Sequence, residues 1–184
     1  MTTIFFTSIQ IGWFNAWIPS FAMVAIQFIY MALFKEGGKR AVDTSWYTPT
    51  DKRNAAVSTI LQISLLLLSI FIPLKRGTTW FWVGAAIYMI AFFLFVSAFH
   101  DYISAPTDKL ISKGIYRISR NPMYLFYFIG TLGICIASAS LWMLLLLIPF
   151  IIFTHLTILG EERYCTQTYG EEYKEYLKKV RRYL

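Results

Sequence analysis

Two short stretches of this 184-residue chain hold residues of the types that do polar chemistry, at spacings that bring them together. The first runs from Asp108 through Lys109, Leu110, Ile111, Gly114, Tyr116, Arg117, Arg120, Asn121, Pro122 and Met123 to Tyr124. Gly114 permits a turn. Pro122 suits a first helical turn, because the N–H it lacks would be unpaired there, and Asn121 before it is a natural N-cap. Arg117 and Arg120 beside that start could reach up to headgroup phosphates. The same helix start, with two arginines, could also take an anion. The second stretch opens on Glu161 and Glu162, directly after an apolar run. A helix end disfavours negative charge, so this carboxylate pair calls for a cationic partner or a hydrogen-bonding ligand. Further on, Gly170 interrupts the helix. Tyr169, Tyr173, Tyr176 and Val180 fall on one face of a short amphipathic helix, spaced as for an interfacial aromatic belt.

The elements that must position these stretches are membrane spans. Apolar residues make up 57% of the chain and charged residues only 15%, against about 25% in a soluble domain. Mean hydropathy is +0.54. Residues 4–34, 54–74, 77–99, 121–138 and 139–160 contain no Asp, Glu, Lys or Arg. Each is long enough, or nearly so, to cross a hydrocarbon core about 30 Å thick. We therefore expect an all-α polytopic membrane protein forming one domain over 1–184, with five transmembrane helices at about 11–34, 55–74, 79–99, 122–138 and 140–159. The first stretch exceeds one span, so residues 1–10 lie in the interface or the helix tilts, with Pro19 as a kink. Its N-terminus has no basic region or small-residue cleavage site and is read as retained. The link Ser138-Ala139-Ser140 forces a tight helical hairpin.

Charge then assigns sides. Fifteen of the 17 basic residues fall in 35–54, 100–121 and 160–184, and all ten acidic residues lie there too. By the positive-inside rule these segments are cytoplasmic, with the N-terminus outside, in the cell inner membrane or endoplasmic reticulum. The net charge of +7 thus serves anchoring to anionic membrane lipids rather than nucleic acid. No such segment exceeds about 25 residues, too few to fold alone. A site must be assembled from helix ends, the 100–121 segment and the 160–184 tail. The spans carry no charge, which argues against a conducting pore. Cys135 and Cys165 have neither a framework nor metal-ligand spacing, so no metal is expected.

The two stretches together resemble the integral-membrane methyltransferases typified by isoprenylcysteine carboxyl methyltransferase, a family related to the phospholipid methyltransferases. That family reads Leu-Val-x-x-Gly-x-Tyr-x-x-x-Arg-His-Pro-x-Tyr, a helical hairpin, then Glu-Glu and Phe-Gly-x-Glu-Tyr. This chain has Leu110-Ile111, Gly114, Tyr116, Arg120-Asn121-Pro122, Tyr124, Glu161-Glu162 and Tyr169-Gly170-Glu171-Glu172-Tyr173 in that order. The resemblance implies an S-adenosylmethionine-dependent methyltransferase acting on a lipophilic or membrane-embedded acceptor. It implies cofactor contacts at Asp108, Lys109, Leu110, Ile111, Tyr116, Asn121, Pro122, Met123, Tyr124 and Glu161, in the cytoplasmic segments 100–121 and 160–184. Two positions depart from the pattern. Asn121 replaces the family's histidine, and Thr157 stands where its substrate-binding arginine is found. His155, on the same span, is a candidate base. The acceptor expected is a phospholipid amine, a small thiol or an isoprenoid-linked acid. Sterol reductases share part of the pattern, which leaves an NADPH-dependent reductase open, as well as a non-catalytic lipid-binding protein on the same scaffold.

Overall fold

The computed structural model of the protein describes residues 9–184. The reading of the N-terminal end falls largely on residues 1–8, outside the described residues. The rest contains six α-helices and one 3-10 turn, with no strand among the described residues beyond an isolated bridge between Asn15 and Pro73. The helices are α1 (Trp17–Leu33), α2 (Lys35–Val42), α3 (Pro49–Ser69), α4 (Thr79–Ser104), α5 (Pro122–Ala137) and α6 (Leu141–Lys179), with the 3-10 turn at Gly114–Arg117.

The first helix starts later than the apolar run suggests. Asn15 is buried and donates to the carbonyls of Gln10 and Ile70, both at 2.7 Å, while Ala16 N donates to Ile72 O at 2.8 Å. These bonds stitch the approach to α1 onto the chain beyond α3, which is why α3 ends at Ser69 rather than near residue 74. Pro19 then sits in the first turn of α1. An absent N–H costs nothing there, so it kinks no helix. At the other end α3 reaches back to Pro49, because Thr48 and Asp51 form a reciprocal capping box, a start signal worth about 1 kcal/mol.

Packing is by two antiparallel pairs. On one side α4 meets α5 so closely that a Cβ on Gly84 would lie 2.3 Å from Ala137 N and 2.5 Å from Gly133 O. Further along, Phe95 meets Tyr127 edge to face at 5.8 Å. On the other side α3 meets α6, with the Ser58 and Thr154 hydroxyls 2.6 Å apart and Arg163 on the Asp51 carboxylate. The short link places Ala139 at a φ of 47°, with Ser140 capping α6 by accepting from Met143 N at 3.3 Å. Two apolar clusters fill the body, one around Leu65, Phe128, Met143 and Leu147 and one around Met23, Phe95, Phe99 and Phe126.

Two helices, α4 and α6, are long and apolar enough to cross a membrane, while α1 and α5 are shorter apolar helices among the described residues. Trp82, Ile90 and Phe93 on α4 and Leu145, Ile148 and Ile152 on α6 point outward and are exposed. An outer surface this apolar is costly in water and natural in lipid.

Candidate active site

Helix α6 does not stop where its apolar run ends. It continues to Lys179, broken only at Gly170, whose φ of 55° and ψ of −125° few L-residues adopt. Glu161 and Glu162 therefore sit inside a helix and not at its end, so the helix-end penalty does not act on them. Successive helical positions point about 100° apart, and the two carboxylates meet different surroundings.

Glu162 is buried in a cationic cluster. It accepts from Arg120 Nε at 3.2 Å, from Asn121 Nδ2 at 2.9 Å and from Arg182 Nη2 at 2.8 Å. Burial opposes its ionisation, but Arg182 and Arg120 outweigh that and hold the carboxyl below its ordinary value. Arg120 also donates to the carbonyls of Leu177 and Val180, its amide donates to Arg181 O at 2.9 Å, and Ser119 Oγ donates to Arg182 O at 2.9 Å. The C-terminal residues are thus tied to the start of α5. Two expectations change here. Arg120 does not reach toward phosphates; its side chain is 12% exposed and neutralises Glu162. Asn121 precedes α5 as its N-cap residue, but its side chain makes no cap bond and is spent on Glu162.

Glu161 meets different surroundings in a cavity of about 700 Å³, whose lining also takes in the edge of the Glu162 cluster. The Tyr124 hydroxyl donates to its Oε1 at 2.5 Å. No basic side chain pairs with it among the described residues. Burial pushes the carboxyl up to about 7, against the lowering effect of the Tyr124 bond and helped by the Glu162 charge.

The cavity is walled by every element at this end. Leu110, Ile111 and Tyr116 come from the segment after α4, and Asn121, Met123 and Tyr124 from the start of α5. From α6 come Glu161, Tyr164 and Cys165, with Tyr169 before the Gly170 break and Tyr173 and Tyr176 beyond it. Tyr173 and Tyr176 are buried, and the Tyr176 hydroxyl donates to Tyr116 O at 2.5 Å. That face of the tail seals the cavity and is not an interfacial belt. Of the ten residues marked by resemblance, seven line the cavity. Asp108 and Lys109 are exposed outside it, and Pro122 is fully buried behind it. His155 is also elsewhere: its Nδ1 lies 2.7 Å from the Tyr183 hydroxyl. The Thr157 hydroxyl is spent on Phe153 O at 3.1 Å.

Sequence reasoning missed the fourth wall. The segment 35–54, expected only to anchor to lipids at the cytoplasmic face, forms α2 over Lys35–Val42, and Arg40 from α2 with Trp46 and Tyr47 from the turn after it line the cavity. Trp46 stacks on Tyr164 at 4.9 Å and 14°. The available signal was the Gly37-Gly38 pair, since a Cβ on Gly37 would lie 1.9 Å from Ile103 O. Only a bare backbone allows α2 this close to the end of α4.

The fold and site define an all-helical protein whose apolar helices converge on one polar, aromatic cavity. The phospholipid methyltransferase family model matches residues 57–172, from the third turn of α3 to just past the Gly170 break. The chain belongs to the phospholipid methyltransferase family, and with its two long apolar helices it belongs among membrane proteins. No curated protein and no solved structure matches it.

Proposed function

We propose that this chain is an S-adenosylmethionine-dependent methyltransferase whose acceptor is lipophilic and reaches the cavity from the bilayer. The observation that carries the reading is Glu161, a carboxyl with no basic partner among the described residues, lining an aromatic cavity of about 700 Å³, within the size range of small-molecule sites. The residues fit this cofactor. A sulfonium with an amino-acid end and a ribose wants a carboxylate for its hydrogen-bond donors and π-faces for its positive charge, and Glu161, Tyr124, Tyr116, Tyr169 and Trp46 are of those types. Leu110, Ile111, Asn121 and Met123 supply the remaining contacts. When bound, S-adenosylmethionine supplies an electrophilic methyl group. The chain's own part is to align the acceptor and exclude water, which the lid of Tyr173 and Tyr176 favours.

In this reading α1, α3, α4, α5 and the first part of α6 are five spans, the N-terminus is outside, and the cavity opens at the cytoplasmic face of the inner membrane or endoplasmic reticulum. The basic residues of 35–54, 100–121 and 160–184 support that sidedness. Thr157 offers no cation for an isoprenylcysteine carboxylate, which favours a phospholipid amine or a small thiol as acceptor. The family supports a methyltransferase over an NADPH-dependent reductase or a non-catalytic lipid-binding protein.

Calorimetry of the purified protein in detergent tests the reading. S-adenosylmethionine should bind and NADPH should not. Glu161→Gln should weaken the cofactor about tenfold to a hundredfold, the worth of a charge-assisted hydrogen bond. Glu175→Gln, on an exposed tail ion pair, should not. Binding of NADPH in place of S-adenosylmethionine would overturn the assignment.

A further inference from the structure

Among the described residues, two buried side-chain polar atoms lack a hydrogen-bond partner: Arg40 Nε and the Tyr116 hydroxyl. Both residues line the same cavity. An unsatisfied buried group is costly, so two of them among the residues lining one cavity point to a ligand that completes them.

Charge sharpens what that ligand carries. Three cations line the cavity. Lys39 pairs with Glu36 at 2.9 Å, and Arg120 pairs with Glu162 at 3.2 Å. Among the described residues no carboxylate pairs with Arg40. Its guanidinium lies over the Tyr102 ring at 4.4 Å and donates to the carbonyls of Tyr102 and Pro106. Those bonds orient the fork without neutralising it. Burial keeps the Tyr116 phenol un-ionised, so its hydroxyl is a neutral donor. A cation without a counter-ion among the described residues and an unspent donor, lining one cavity, are the requirements of an oxyanion.

We propose that Arg40 and Tyr116 form an oxyanion subsite that takes a carboxylate or a phosphate of the bound ligand. The proposal rests on the methyltransferase reading for the nature of the two candidate ligands: the amino-acid carboxylate of the cofactor, or the phosphate of a lipid acceptor. Arg40 lies in α2, outside the family match over 57–172, so this half of the subsite belongs to the chain's own sequence rather than to the shared pattern.

The test uses the full chain in detergent, with Arg40→Gln and Tyr116→Phe. One arm measures binding of S-adenosylmethionine beside its decarboxylated analogue. The other measures a short-chain phosphatidylethanolamine beside the matching diacylglycerol, which lacks the phosphate. Both variants should lose about tenfold or more in affinity for the anion-bearing member of one pair. The anion-free member should bind each variant as it binds wild type. Loss confined to the first pair assigns the subsite to the cofactor carboxylate, and loss confined to the second assigns it to the lipid phosphate. Thermal stability of Tyr116→Phe should equal or exceed wild type, since an unsatisfied hydroxyl is removed without loss of packing. Equal loss for both members of a pair, or no loss in either arm, overturns the proposal. So does weaker binding that merely follows a destabilised Tyr116→Phe protein. If wild type binds no S-adenosylmethionine, the cofactor assignment fails by itself, and the phospholipid arm still decides the subsite.

Discussion

Glu161 and Glu162 are neighbours in sequence and opposites in surroundings. Glu162 is met by two arginines and an amide that satisfy it within the protein. Glu161 is met by one neutral phenol, in a cavity where two further polar atoms go unmet among the described residues. The first arrangement is what a fold needs to carry a buried charge. The second leaves hydrogen-bonding capacity for something not part of the chain. Polar groups that a structure completes hold it together, and those it leaves incomplete mark where it binds.

That contrast breaks first at Glu162. Glu162→Ala should strand the Arg120 guanidinium and unfasten the C-terminal residues, costing about 3–5 kcal/mol as for a broken buried pair. Thermal unfolding in detergent reads this directly. A Glu162→Ala protein as stable as Glu161→Ala would abolish the distinction between the two sites.

Glu161 should show itself through pH. Its carboxyl rises from an ordinary 4.5 to about 7 in the folded protein. Between those values the folded state holds a proton that the unfolded chain has released, so stability should fall as pH climbs from about 4.5 to about 7. In Glu161→Gln this slope should flatten. An equal slope in both proteins would show that the carboxyl is not held in the environment described.

Arg182 should give a smaller effect than either glutamate. It is half-buried and shares Glu162 with Arg120 and Asn121, so Arg182→Ala should cost about 1 kcal/mol. Lys178→Ala, on an exposed pair of the same tail, should leave the melting temperature unchanged. If Arg182→Ala proves as damaging as Glu162→Ala, the tail contributes more to the cluster than the α5 start does.

The sequence by itself determined the elements that follow from local rules. Long uncharged runs declared apolar helices, Pro122 marked the start of α5, Gly170 marked the break in α6, and the three-residue link required the hairpin. It also marked seven of the residues that line the cavity, through motifs carried on two nearby stretches. Only the tertiary structure decided which glutamate is paired with arginines and which is left to the cavity, since two adjacent carboxylates look alike until the neighbouring helices are in place. It redirected Arg120 and Asn121 from headgroups and capping to Glu162, because an anion buried beside them binds more strongly than water or a backbone amide competes. It drew Arg40 and Trp46 from what reads as a lipid-anchoring cytoplasmic segment into the wall. Their contacts reach Tyr102, Pro106 and Tyr164, far away in the chain, and no local propensity encodes a partner so distant.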